Sequence, residues 1–453
     1  MNKKIVALTA ATAIALAGLA ACSGGSGSGS DTGQVYFLNF KPEVADVWEA
    51  IAKDYTAETG VSVKVVTAAS GTYEQTLTSE IAKSDAPTVF QINGPVGYAN
   101  WKDYTADLTD SDLYKHLSDQ TLAITGADGG VYGIPYVVEG YGIIYNDAIM
   151  KKYFALADQK SGLTDATEIQ SFDQLKTVVE DMTAHKADLG IQGVFSNTSL
   201  KPGDDWRWQT HLMNVPLYYE FKDSNVDLSA GTPATIKFSY ADGFKKLFDL
   251  YLDNSTVEKT QLGSKTVDEA MAEFALGQSA MVQNGNWGWS QVAGVAGNTV
   301  LAEDVHFLPL YIGVSGEKSQ GLCIGTENYF SINKDASAAD QQASLDFLYW
   351  VFSSDKGKDY VANQLGFIAP FDTFATGEGP SDPLATEVSS WMAKDGVTSV
   401  PWVFSVMPSQ DWKNNFGGEL LTYAQGSTDW ATVVSDTVAD WATQAKAAAE
   451  AAG

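Results

Sequence analysis

The stretch Lys201-Pro202-Gly203-Asp204-Asp205-Trp206-Arg207-Trp208-Gln209 gathers acids, an arginine and two tryptophans into one short loop that flows into a helix. Such a set suits a polyol. Aromatic faces meet the C–H patches of pyranose rings, and charged groups grip paired hydroxyls in a fork. Asp205, Trp206 and Arg207 are the candidate contacts, and the competing reading is a surface Asp205–Arg207 pair beside one core tryptophan. Glu139 is a second candidate, set among apolar strand residues from Tyr136 to Asn146. A carboxylate there is costly to bury unless hydroxyls or a cation satisfy it, so a structural ion pair is the alternative. Other chemistries lack their residues. The 4 His, at 116, 185, 211 and 306, form no H-x-x-x-H or Cys/His cluster, so no metal site is expected. No P-loop, G-x-G-x-x-G after a strand or G-x-S-x-G occurs, and no cofactor is expected. Glu139 and Asp205 could in principle serve as a glycosidase pair, but nothing around them marks an acid or a nucleophile.

The elements that must position these residues read as α/β. Val35–Leu38 is an apolar strand, and Pro42 opens a helix whose Val44, Val47, Trp48, Ile51 and Tyr55 share a face up to Gly60. Val61–Val65 alternates as a strand, a helix with Leu77 and Ile81 follows, and Thr88–Ile92 is the next strand. This β-α-β-α-β order builds an open, mainly parallel sheet, and ligands sit at the carboxyl ends of such strands. Asn39, Lys41 and Asn93 stand there, as ligand contacts or as turn caps. Further on, Thr266–Phe274 is an amphipathic helix ended by Gly277, and Ala280–Val282 is a short buried strand. Asn284, Gly285, Asn286 and Trp287 then supply turn chemistry with a large ring. Helices are also expected over Ala148–Ala155, Phe238–Leu252, Ala339–Ser353, Pro383–Ala393 and Thr428–Ala448, with a strand at Val305–Tyr311.

Size and charge narrow the partners. A chain of 453 residues is too long for one compact core, so two domains are the natural expectation. Lys+Arg 28 against Asp+Glu 56 gives a formal net charge of −28, which argues against nucleic acid or anionic lipid as partner. The N-terminus places Lys3 and Lys4 before an apolar stretch, Ile5–Ala21, that is short for a transmembrane span of ~20 residues. Ser23–Gly33 is Gly/Ser-rich and reads as a flexible tether.

Two motifs carry a resemblance to a known family, and a third matches a lipoprotein processing signal. F-x-x-G-x-x-A-M-x-x-N-G-x-W, from Phe274 to Trp287, closely resembles the signature of extracellular sugar-binding proteins of ABC importers, the maltose-binding-protein-like family. G-I-P-Y-x-x-E followed by I-Y-N, from Gly133 to Asn146, resembles the first strand crossing between their lobes. Leu19-Ala20-Ala21-Cys22 matches a bacterial lipobox. What the resemblance implies is an α/β, two-lobe periplasmic-binding-protein fold of type II, with hinge-connected lobes and a ligand cleft between them. Residues 1–21 would be a signal peptide and 22–33 a linker anchored by lipid on Cys22. Residues 34–138 with 322–368 would form the N-terminal lobe, and 139–321 with 369–453 the C-terminal lobe. Gly321–Asn333 and Gly366–Pro370 would be the second and third crossings. The resemblance puts Glu139 and Trp287 on the sugar, with Lys41, Asn93, Asp205, Trp206, Arg207, Glu327 and Trp402 as further ligand-binding candidates.

The reading that follows is a non-enzymatic, monomeric lipoprotein on the extracytoplasmic face, touching the membrane through its anchor only. It would bind a carbohydrate and deliver it to ABC transporter permease subunits. A surface-anchored glycoside hydrolase and a chemosensory or adhesive lipoprotein are the alternatives. An apolar or peptide ligand is disfavoured, because tryptophans interspersed with Asp, Glu, Asn and Arg suit polyols.

Overall fold

The computed structural model describes residues 32–69, 71–228, 231–375 and 377–452. The expected signal peptide, Cys22 and most of the tether lie outside them. The described residues open with β1 (Gln34–Asn39), a helix Ala45–Thr59, β2 (Ser62–Thr67), a helix Tyr73–Ile81 and β3 (Val89–Asn93). Gly60 ends the first helix in the left-handed region, at φ +79°, with its N–H on the Thr56 carbonyl. The buried face of that helix is the one its spacing predicts. Trp48 packs edge-on to Phe37 at 4.9 Å, and Ile51 and Tyr55 lie beneath it.

The short β4 (Ile124–Thr125) and β5 (Val131–Pro135) lead to the first crossing. Beyond it run β6 (Glu139–Asn146), β7 (Gly193–Phe195), β8 (Ser279–Gly285), β9 (Val305–Leu308) and β10 (Gln320–Gly325). The chain then returns through β11 (Asn328–Ile332) and later adds β12 (Thr398–Pro401). Among the described residues two six-stranded sheets result. The first has the order β2-β1-β3-β11-β5-β4, with β1 parallel to β2 and β3. The second has the order β12-β10-β6-β8-β7, with β9 also on β6. Each lobe therefore owns a sheet and its own apolar core.

β6 is the spine of the second lobe, and every residue of it is buried. One of its edges is taken by β8, and the other is shared between two strands. β10 pairs with Glu139–Tyr141, and β9 pairs with Ile143–Asn146. Gly142 sits at the handover, where a Cβ would come within 2.4 Å of the Leu308 carbonyl oxygen. Asn146 ends the strand and caps the helix Asp147–Phe154, its Oδ1 accepting from the Ala148 and Ile149 amides.

Several expected boundaries move. Residues 322–325 stay with the second lobe, because β10 pairs with β6 and β12 up to Gly325; the crossing is at Thr326-Glu327. Residues 369–375, 377 and 378 stay with the first lobe. Phe371 packs on Phe352 at 4.8 Å, Asp372 meets His116 at 2.7 Å, and Glu378 meets Lys358 at 2.8 Å. The chain passes to the second lobe only at the helix Pro383–Met392, which packs on β6, β9 and β10. The strand expected to Tyr311 stops at Leu308, before Pro309, which has no N–H to give a ladder. The helix expected from Phe238 starts at Ala241, since Phe238 itself has φ +52°.

Because the Leu308 carbonyl is fixed by β6–β9 pairing, Gly142→Ala forces backbone to move. It is expected to destabilise the protein by about 1–3 kcal/mol in urea denaturation. A loss below about 0.5 kcal/mol, the range of neutral surface changes, would show that β9 slides aside freely.

Candidate functional site

A cavity of about 540 Å³ lies between the lobes. Its first-lobe wall is built from strand ends, as an open parallel sheet dictates. β1 runs out at Asn39, whose side chain clamps a tight corner: its Nδ2 donates to the Lys41 carbonyl at 2.8 Å, and its Oδ1 accepts from the Lys41 amide at 3.1 Å. Asn39 is thus a turn clamp, and the corner aims Lys41 into the cleft. Lys41 Nζ lies 2.7 Å from Glu139 Oε1 and 3.6 Å from Glu43 Oε1. Asn93, at the end of β3, donates to Glu327 Oε1 at 2.8 Å. Glu139 and Glu327 therefore stand on the first and second crossings, each held by a first-lobe residue.

Burial sets the electrostatics. Desolvation alone would lower the Lys41 pKa, but Glu139, Glu43 and Glu327 outweigh it and lift the ammonium above its usual range. Glu139 is only 2% exposed, and burial raises its pKa against the pull of Lys41. The ion-pair alternative for Glu139 is realised, and in the wall of the cavity.

The second-lobe wall comes from the loop and helix singled out above, and from the end of β8. Trp206 and Arg207 line the cavity. Arg207 forks onto Asn284 Oδ1 through Nε (3.1 Å) and Nη2 (2.9 Å), and its carbonyl accepts from Gln283 Nε2. Asn284 and Gly285 are still strand, paired with Gly142 and Tyr141, so the expected turn begins only at Asn286. Trp287 then folds back over its own strand. A Cβ on Gly285 would come within 2.2 Å of the ring, so only glycine lets the indole lie there. Lys41 Nζ stands 5.7 Å from the centre of the Trp287 ring, within cation–π range.

Two candidates stand off the cavity. Asp205 is 2% exposed and turns away toward the helix Gln410–Ala424, where a Cβ on Gly417 would meet its Oδ2. Its Oδ1 accepts from Gln209 Nε2 at 3.1 Å, and no ion pair to Arg207 forms. Asp204, not among the candidates, takes the place on the wall expected of Asp205 and accepts from the Val267 amide, opening the helix Val267–Ala275. With Asp205 turned away, Glu139 and Asp205 do not face one space, which removes the suggested glycosidase pair. Trp402 packs on Gly325 and lies 6.5 Å from Trp287, bracing that ring from behind. Trp208 is the core tryptophan of the loop.

Other lining residues had no expected role. His211 stacks on Tyr141 at 4.4 Å, and its Nδ1 has no partner. Burial, reinforced by Arg207, Lys413 and Lys41, drives its pKa well below 6.5, so it is a neutral imidazole at pH 7. It lies within Arg207–Leu212, a widened π-type turn, a distortion frequent at functional sites. Glu43, Glu74 and Asp268 also line the cavity. Lys413 lies 4.9 Å over the Trp206 ring.

Two α/β lobes, three crossings and a polar, tryptophan-walled cleft define a bilobal extracytoplasmic binding-protein fold. The chain belongs to the family of bacterial extracellular solute-binding proteins, whose model matches residues 50–387. It is 25% identical over 403 residues to the diacetylchitobiose binding protein DasA of Streptomyces coelicolor, covering 81% of this chain and 82% of that relative. Among solved structures it resembles the solute-binding protein RafE in complex with raffinose, with a TM-score of 0.70 and 17% identity over 91% of this chain and 99% of RafE. A chitin oligosaccharide binding protein gives a TM-score of 0.69 at 17% identity, over 93% and 100% of the two chains.

The environment of Asp205 makes a pH prediction. Burial raises its pKa to about 6, opposed by the Gln209 hydrogen bond. A raised folded pKa gives stability that is complete below the unfolded value near ~3.9 and is lost as pH rises through about 6. At neutral pH the buried carboxylate therefore opposes folding. Asp205→Asn should raise the melting temperature at pH 7.5, by the equivalent of roughly 2–3 kcal/mol, and the gain should vanish below about pH 4. Equal gains at both pH values would show that ionisation is not the cause.

Proposed function

We propose that the protein captures an oligosaccharide outside the membrane and hands it to the permease of an ABC transporter. The observation that carries this is the pairing of Trp206 and Trp287 with Glu139, Glu327, Asn93 and Arg207 around one cavity between lobes. Indole faces cover sugar C–H patches while the carboxylates and amides take the hydroxyl edges. Six carboxylates line the space (Glu43, Glu74, Glu139, Asp204, Asp268 and Glu327) against Lys41 and Arg207. That balance suits an uncharged sugar and repels phosphorylated or uronic ones. The ligands in the names of DasA and of the two structural relatives point the same way.

The mechanism follows from the three crossings. The ligand enters between parted lobes, contacts both and stabilises the closed form, which the permease reads. On this reading the sugar is released unaltered, the two crossing carboxylates being taken up by first-lobe partners, Glu139 by Lys41 and Glu327 by Asn93. Among the described residues no helix is long and apolar enough to cross a membrane, and lipid on Cys22 would hold the protein on the extracytoplasmic face of a membrane, at the cell surface or in the periplasm. Cys22→Ser should therefore move the protein from membranes to the soluble fraction. Continued membrane retention would refute the anchor.

Trp287 gives the decisive test. Trp287→Ala removes an aromatic contact of roughly 0.5–1.5 kcal/mol besides the buried area, so a sugar identified by thermal-shift screening should bind at least about ten-fold more weakly. Apo melting should change little, because the ring packs at the edge of the core rather than inside it. A large drop in melting temperature with near-normal affinity would make Trp287 structural and sink the site.

A further inference from the structure

The β6–β8 ladder stops at Tyr141 and Gly285, and its next rung would join Gly140 to Asn286. There the chain leaves the strand for the tight turn Asn286–Gly288. Without a partner, the buried Gly140 amide would carry its full desolvation penalty. The Asn286 side chain supplies the acceptor, its Oδ1 lying 2.9 Å from the Gly140 nitrogen. A side chain thus stands in for the missing backbone rung.

Both ends of this bond are pinned. Gly140 also pairs with Ile324 of β10, and a Cβ on it would come within 2.8 Å of Val388 on the helix Pro383–Met392. Asn286 is 4% exposed and follows Gly285, over which the Trp287 ring lies. Glu139 precedes Gly140 and Trp287 follows Asn286. One hydrogen bond therefore joins the neighbour of the carboxylate to the neighbour of the indole. The indole meets Tyr141, His211 and Trp402 only edge-on or tilted, so the turn that carries it sets where it stands. Asn286 does not line the first cavity, so any effect on a ligand passes through these neighbours. In the pattern N-G-x-W it fills the position left open.

We propose that Asn286 is a positioning residue of the site: through the Gly140 amide it fixes Trp287 relative to Glu139. The face and the edge of one sugar ring are then met together, which needs groups held within ~0.5 Å of their working geometry. The inference rests on the sugar-binding reading and adds the residue that sets its geometry.

Calorimetric titration of the intact mature protein with Asn286→Ala tests it. The probes are the trimers of N-acetylglucosamine, α-1,4-glucose and β-1,4-xylose, together with raffinose. For the probe that binds, affinity should fall roughly three- to ten-fold. In a Trp287→Ala background the same change should cost less than about two-fold, and in an Asn93→Ala background it should keep its full factor. A second readout needs no ligand. With 5-fluorotryptophan incorporated and the Trp287 line assigned by Trp287→Phe, that fluorine line should shift and broaden in Asn286→Ala while those of the core tryptophans stay in place. Should Asn286→Ala be too unstable to titrate, Asn286→Ser, whose hydroxyl is too short to reach Gly140, takes its place. Loss of folding in both would make Asn286 a stability element and overturn the positioning role. Equal factors in the two backgrounds, or an unmoved Trp287 line, would overturn it as well and leave sugar capture standing. No binding by any probe to the unsubstituted protein would overturn sugar capture itself, and this role with it.

Discussion

The contact on which the cleft depends is the buried ion pair between Lys41 and Glu139. Taking two charges out of water carries a desolvation penalty of several kcal/mol per ion, which only close geometry and added hydrogen bonds offset. Both members are fixed by backbone. Lys41 is aimed by the Asn39 corner, and Glu139 opens β6, where it pairs with Gly325 at the end of β10. The next amide, of Gly140, donates to Asn286 Oδ1 at 2.9 Å, which ties the turn carrying Trp287 to the same spot. A first-lobe strand end, two crossings and the tryptophan turn thus converge on one charge pair. Removing either partner would strand a buried charge at the joint between the lobes.

That convergence explains why this part of the molecule could be read from the sequence. An acid in an otherwise apolar strand is a local anomaly with few physical solutions. It must find a cation or hydroxyls, and Glu139 finds Lys41. Strand and helix order was legible for the same reason, since apolar period and caps such as Gly60, Asn146 and Thr266 agree with the fold at each step.

The failures fall where no such local conflict exists. Asp204 and Asp205 differ by one position in a turn without periodicity, and only the fold shows that Asp204 lines the cleft while Asp205 turns to Gln209. His211 sits on a helix face among apolar residues, where a core histidine and a wall residue carry the same pattern. The lobe boundaries at 322 and 369 shifted because the apolar runs continue through the crossings. Only pairing with β6, or packing of Phe371 on Phe352, assigns those residues to a lobe.

The lobes meet at points where side chains have been withdrawn. A Cβ on Gly71 would come within 2.8 Å of the Gly203 carbonyl, and one on Gly94 within 2.9 Å of the Ser405 side chain, in each case across the cleft. Both glycines have positive φ, so close approach and backbone conformation demand the same residue. Between these contacts, charges face each other at longer range. Burial lowers the Lys413 pKa, and Glu327 and Glu74 of the opposite wall pull it back up. Burial likewise raises that of Glu74, which accepts from Trp101 Nε1 and feels Lys413. Closure therefore brings partly desolvated charges toward one another without direct pairing. Hydroxyls placed between them restore the hydrogen bonds that water supplied in the open cleft. On the proposed function, a polyol with hydroxyls on both edges of its rings would meet that need on both lobes at once, and this differential contact would shift the lobes toward the closed state.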